Sequence, residues 1–280
     1  MKAREKSEDI IRLMKKAEEL ERQGIFDVDT SEDPPTLPLL AENITYLDES
    51  FFARVKRFFA FSSAYAFYAF KRVRKSIITD SIRGLENLDG IPGGAVITCN
   101  HFHPFDSFII QRIFDKSRNT GRLWRVIREG NYTSFPGFYG FLMRNCRTLP
   151  LSSDRRCMHK FLSAVKALLS RGDSLLVYPE QSLWYNYRKP KPTKSGAFDI
   201  AVMADSPIVP IFITLTDSEI IGSDGFPTQI YTPHIGEPIY PDMSLKKAER
   251  SRKMQEENYA FCKRVYEDFY KIPLVYNTES

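Results

Sequence analysis

The chain has 280 residues, 42% of them hydrophobic and 27% charged, which suits one large or two small globular domains and excludes a wholly disordered polymer. A formal charge of +5 suits anionic partners such as phospholipid headgroups, phosphorylated substrates or nucleic acid, without choosing among them. The four cysteines, Cys99, Cys146, Cys157 and Cys262, include no C-x-x-C pair, so neither a disulfide framework nor a zinc knuckle is expected and a reducing cytosol fits best.

From Met1 to Gln23 apolar residues recur at helical spacing (Ile10, Leu13, Met14, Ala17, Leu20) among charges, with no signal-peptide core, so secretion is not expected. Phe26 to Pro38 reads as an exposed connection without regular structure. Aromatics then dominate from Glu49 to Lys75. Phe58 to Phe70 is uncharged and is flanked by Arg54, Lys56 and Arg57 on one side and Lys71, Arg72, Arg74 and Lys75 on the other. A helix of about 13 residues rises roughly 20 Å, short of the roughly 30 Å hydrocarbon core, so it is not expected to span a membrane. Rings flanked by cations suit a membrane interface, and the same stripe equally suits packing against the domain that follows.

From about Ser81 strand-like and helix-like segments alternate. Val96–Cys99, Leu123–Ile127, Thr148–Leu151, Leu175–Tyr178, Ile208–Ile213 and Ile230–Ile235 read as strands. Asp106–Lys116, His159–Ser170, Gly196–Ala204 and Leu245–Tyr270 read as helices. The alternation predicts an α/β fold around a largely buried sheet, with a division between residues 1–75 (helices, link and membrane-interface region) and 76–280 (the α/β domain).

Chemistry is densest where the first long strand ends, at Asn100-His101-Phe102-His103-Pro104-Phe105-Asp106. A carboxylate beside an imidazole holds one tautomer and stabilises the imidazolium, which is what a general base acting on a hydroxyl needs. Pro179-Glu180-Gln181-Ser182 follows another strand, and Pro210 sits in a third. Strand carboxyl ends gather ligands in α/β sheets, so residues 99 and 178 are expected to meet at one cleft.

These pieces, in order and spacing from about Ile82 to Ile239, resemble the glycerolipid acyltransferases, the family of 1-acylglycerol-3-phosphate and related lysophospholipid acyltransferases. Asn100, His101 and Asp106 match the first motif, N-H-x-x-x-x-D, in full; Pro179 and Glu180 match the third, P-E-G-T-R, with Ser182 for threonine. Lys194-Ser195-Gly196-Ala197-Phe198 matches the basic-then-G-A-F stretch that follows. Gln181 and Leu183 depart from the third motif's glycine and arginine, with Arg188, Lys189, Lys191 or Lys194 left to replace that arginine, and the second motif, Gly140 through Pro150, has its arginine displaced to Arg155 or Arg156.

The resemblance implies a glycerol-3-phosphate acyltransferase-like mixed sheet flanked by helices, with N-terminal interfacial helices. It implies an O-acyltransferase in which His101, oriented by Asp106, deprotonates an acceptor hydroxyl as it attacks a thioester. Asn100, Glu180, Arg155, Arg156, Arg188 and Lys194 are the expected substrate-binding residues. The expected partners are acyl-CoA or acyl carrier protein, a lysophospholipid, most of all 1-acylglycerol-3-phosphate, and a membrane surface, with no nucleic acid, metal or cofactor. The expected location is the cytoplasmic face of the cell membrane, peripheral or monotopic.

Other chemistries fit less well. His101-x-His103 opens like a dinuclear metal site, but the aspartate falls one place late and the chain has four histidines in all. Cys99 stands beside His101 where a nucleophile could, yet at the end of an apolar strand a buried thiol is the ordinary role. No G-x-S-x-G, G-x-G-x-x-G or P-loop is present. A non-catalytic lipid-binding protein on the same scaffold is the alternative from another class.

Overall fold

The computed structural model describes residues 6–32, 35–75, 77–119 and 121–279. Its centre is one seven-stranded sheet in the order β1-β7-β6-β2-β5-β3-β4, where β1 is Ile78–Thr79, β2 Val96–Cys99, β3 Leu123–Arg128, β4 Thr148–Leu151, β5 Ser174–Val177, β6 Ile208–Ile221 and β7 Pro227–Ile235. All neighbouring strands run parallel except the β6–β7 hairpin. The carboxyl ends of β2, β5, β3 and β4 therefore share one edge.

The central strands are buried on both faces, which is why they read as unbroken apolar runs. Alternate side chains feed two cores. Val96, Leu175 and Ile208 join one with α6 (Arg155–Ser170), α7 (Gly196–Ala204) and α8 (Lys247–Tyr270); Ile97, Leu176 and Val209 join the other with α3 (Asp106–Lys116). The second face is completed by α2 (Phe51–Val73) and α5 (Gly137–Asn145), with the short α4 (Glu129–Thr133) between β3 and α5.

α2 is longer than its uncharged stretch. Ser50 caps it by accepting a hydrogen bond from Ala53 N at 3.3 Å, and the Arg and Lys residues at both ends continue it to 23 residues. Its two sides differ. Ala60, Ala64 and Tyr68, four apart, are buried, with the two alanines against Leu142 of α5; Phe51, Phe52, Phe58, Phe59 and Phe70 are exposed. The packing expectation thus holds for one side of the helix, and the rings on its other side are exposed. No helix among the described residues is long and apolar enough to cross a membrane.

α1 (Glu8–Arg22) packs Ala17 and Leu20 on Trp184, and the link after it lacks regular structure as expected but does not hang free. Phe26 O accepts from Ser182 Oγ at 2.6 Å, Val28 O from Trp184 Nε1 at 2.8 Å, and Asp29 Oδ1 from Leu183 N at 2.5 Å. The link straps down the loop after β5. α5 is not among the helices expected from the sequence. Gly140 lies within the helix, where an added Cβ would collide with the Phe135 carbonyl oxygen.

Candidate active site

The loop after β2 is built by side chains that take over backbone duties. Asn100 donates from Nδ2 to Ile213 O at 3.0 Å and accepts from Ile213 N at 2.8 Å, extending the β2–β6 pairing past the strand's end. That fixes where His101 emerges. Asp106, the first residue of α3 and only 1% exposed, folds its carboxylate back: Oδ2 accepts from Phe102 N at 3.3 Å, His103 N at 3.4 Å and His101 Nδ1 at 2.7 Å. A carboxylate can only accept, so Nδ1 carries a hydrogen, and the neutral tautomer this selects is the one with its lone pair on Nε2.

A residue missed by sequence reasoning completes the arrangement. Tyr178, just past β5, donates its hydroxyl to Asp106 Oδ1 at 2.6 Å and stacks on the His101 ring at 4.0 Å and 18°. Burial and the adjacent Asp106 carboxylate push its phenol well above the ordinary range, so it stays a donor. It is a positioning residue. Adjacency of β2 and β5 is what brings residues 101 and 178 together, as the strand-end argument expected.

Glu180, expected among the substrate-binding residues, is placed off the cavity wall and among protein partners. It is buried, with Oε2 accepting from His101 N at 3.2 Å, Oε1 from Lys191 N at 3.0 Å, and Lys191 Nζ 3.4 Å away. Lys191 is equally enclosed, donates to Ser182 O and Oγ at 2.7 Å each, and lies 4.9 Å above the Trp184 ring. Its burial lowers its pKa, against the opposing pull of Glu180. Gln181 stands at φ 59°, the left-handed conformation glycine favours, so the family's glycine at this place has a backbone reason.

In front of His101 lies a cavity of about 940 Å³ under α2, walled by Phe61, Ala64, Phe67 and Tyr68 of α2, Phe105 and Phe108, Leu142 and Met143 of α5, and reaching back to Arg125 and Cys146. His101 and Asp106 are on its wall. So are residues on both sides of the division near residue 75, including Asp27 and Asp29 of the link.

The remaining expected substrate contacts are not brought there. Asn100 is occupied by Ile213, as described. Arg155 and Arg156 are exposed in the first turn of α6, which starts earlier than expected because Asp154 Oδ1 caps Cys157 N at 2.8 Å. Arg188 pairs with Asp217 at 2.7 Å, and Lys194 with Asp27 at 2.7 Å. The cations on the wall are Arg112, Arg125 and Arg128. Arg128 ends β3 at the shared carboxyl edge, where it donates to Gln181 O at 2.5 Å and pairs with Asp29. The strand-end rule applied to β3 would have found it. Arg125 is buried, donating to Gln111 Oε1 at 2.6 Å and Cys146 O at 3.2 Å.

Two neighbours of the pair are inert. Cys99 is buried, its thiol pushed well above the ordinary range chiefly by burial and by Asp106, so no thiolate forms at neutral pH. His103 is lowered to about 4 by burial and accepts from Phe105 N at 3.1 Å, a neutral loop-holding imidazole. No group of three or more metal-ligating side chains occurs among the described residues. Cys99→Ser is expected to keep kcat within about threefold of wild type, read as thiol release from a fatty thioester, since a buried thiol contributes mainly packing; an inactive but folded variant would indicate an acyl-enzyme.

A comparison with curated proteins finds no match. The structure is similar to that of PlsC, the 1-acyl-sn-glycerophosphate (LPA) acyltransferase of Thermotoga maritima, with a TM-score of 0.49 and 18% identity over 80% of this chain and 81% of that one. The family model described as Acyltransferase matches residues 81–214, the segment that carries His101, Asp106, Tyr178 and Glu180. Residues 81–214 are thus an acyltransferase domain, and the chain that carries it is an acyltransferase.

Proposed function

We propose that the protein transfers a fatty acyl group from acyl-CoA or acyl carrier protein to the hydroxyl of a lysophospholipid, 1-acylglycerol-3-phosphate before others. One observation carries this reading: an imidazole held by a carboxylate, His101 on Asp106 at 2.7 Å, stands on the wall of a largely apolar cavity wide enough for an acyl chain. His101 Nε2 takes the acceptor's proton as its oxygen bonds to the thioester carbonyl carbon. The C–S bond then breaks and the imidazolium returns the proton to the leaving thiolate, so the step needs no cofactor. Arg128 is the cation on the wall at the strands' carboxyl edge and is suited to the acceptor phosphate, in place of Arg155, Arg156, Arg188 and Lys194.

The test is mass spectrometry of lipids formed from mixed lysophospholipids with either donor. A diacyl product bearing the phosphate-monoester headgroup is expected to dominate; acylation of another headgroup in preference would overturn the acceptor assignment, and no product with any acceptor would overturn the function.

The same reading places the protein on the cytoplasmic face of the membrane, with the outer side of α2 in the interface. Phe51, Phe52, Phe58 and Phe59 are between 58% and 74% exposed, and the basic residues of α2 flank them. Burying one such ring in acyl chains contributes on the order of 1–2 kcal/mol. Serine at all four positions is expected to weaken binding to phosphatidylcholine vesicles by at least about a hundredfold, measured by flotation. Unchanged flotation would remove α2 as the anchor. Deletion of the whole N-terminal region is the poorer experiment, because it also removes the cavity wall.

A further inference from the structure

A second cavity, of about 570 Å³, opens at the opposite edge of the sheet, between the first half of α2 and the amino ends of β3 and β4. Four arginines line it, Arg54, Arg57, Arg122 and Arg147, against two carboxylates, Glu49 and Asp115. Asp115 is fully engaged, with Tyr65 Oη, Gln111 Nε2 and Arg112 each 3.0 Å away. Glu49 is shared thinly, 3.4 Å from Arg57, 3.7 Å from Arg122 and 3.8 Å from Arg171. Those separations exceed the roughly 2.7–2.9 Å of a good charge-assisted hydrogen bond. The recess holds more cation than its own carboxylates satisfy.

Arg147 is the clearest sign. It stands at φ 51°, its Nε is enclosed without a hydrogen-bond partner, and its guanidinium lies 4.6 Å over the Phe61 ring. Arg57 and Arg171 flank Trp124 at 5.7 and 5.6 Å. Aromatic faces thus lie against the guanidinium groups. Arg57 also donates to Asp48 O at 2.7 Å and Arg171, outside the recess, to Asp173 at 2.7 Å, which leaves Arg147, with its unpartnered Nε, and Arg122, held only at 3.7 Å by Glu49, to meet a polyvalent oxyanion. Burial first, and then the neighbouring Arg122, Arg125 and Arg57, lower Arg147 to about 10; gathered like charges carry a cost that a bound anion removes.

We propose that this recess binds the phosphate monoester headgroup of an anionic membrane lipid. A lipid is favoured over a free phosphate because the rim belongs to the stretch of α2 whose phenylalanines are exposed, and Phe58 itself lines the recess. A headgroup can reach the arginines while its acyl chains lie along those rings. The inference rests on the membrane-facing reading of α2 and is independent of acyl transfer. Phe61, Tyr65 and Gln111 wall both cavities, so the headgroup and the acyl chain occupy opposite sides of one partition.

The test is flotation of the full chain with vesicles of phosphatidylcholine alone, with phosphatidic acid added, and with a phosphodiester lipid added to equal surface charge. The phosphate-monoester vesicles are expected to bind about tenfold more tightly than the charge-matched ones. Arg122→Gln with Arg147→Gln is expected to abolish that preference and leave phosphatidylcholine binding unchanged. Glu49→Gln, which removes the competing carboxylate, is expected to strengthen it by about threefold, a gain that misfolding cannot imitate.

Equal binding to the two charged vesicles, or a preference that survives the double arginine variant, would overturn the site. Thermal protection by inorganic phosphate through the same arginines, without a vesicle preference, would overturn the lipid assignment. Failure to bind phosphatidylcholine alone, with the preference kept, would count against the anchor and support the site.

Discussion

Replacement of His101 by alanine is expected to lower kcat by about 10³- to 10⁴-fold, with the folded state nearly as stable as wild type. The imidazole is partly exposed and contributes one stacked ring, so its loss costs the fold about 1 kcal/mol at most, while the acceptor hydroxyl loses its base. Asp106→Asn is expected to be of similar size. An amide at position 106 presents a donor to His101 Nδ1 and stabilises the wrong tautomer. Tyr178→Phe keeps the stack and removes the 2.6 Å bond to Asp106, so a loss of about tenfold is expected. Thiol release at saturating donor and acceptor separates the three, and a His101→Ala variant retaining more than a tenth of wild-type kcat would contradict the assigned role.

The second large effect is on stability. Glu180→Ala leaves Lys191 buried with no carboxylate and frees the His101 amide, and removing one member of an enclosed ion pair costs about 3–5 kcal/mol. A large fall in the chemical-denaturation midpoint is expected, with KM for the acceptor little changed in whatever fraction stays folded. An acceptor-binding Glu180 would do the reverse. Because the cost comes from the unmatched charge, Glu180→Gln together with Lys191→Met is expected to recover part of the lost stability relative to Glu180→Ala.

What could be read from residue order alone follows how far each contact reaches. β2, α3 and α7 have the bounds expected, since each is a dense local pattern closed by turn residues. His101 and Asp106 were legible for the same reason: five residues and one turn separate them. Tyr178 and Arg128 were not singled out although both stand at strand carboxyl ends, because which strand ends face the pair depends on β5 lying beside β2 and β3 beyond it. β6 outran its apolar run, for backbone pairing with β7 carries the hairpin past the core where the sequence turns polar. Glu180 matched a family motif, and the match said that the carboxylate matters without saying that its partners are the His101 amide and Lys191. The cations expected around the acceptor were sought near the altered second and third motifs, whereas the arginines on the cavity wall come from α3 and β3.

The most direct test of the central claim is thiol release from a fatty thioester, followed with and without 1-acylglycerol-3-phosphate, in wild type and His101→Ala. The expected result is release that depends on the acceptor in wild type, with matching formation of the diacyl product, and is absent in the variant. Release that proceeds equally without acceptor, or that persists in His101→Ala, would contradict direct acyl transfer by this imidazole.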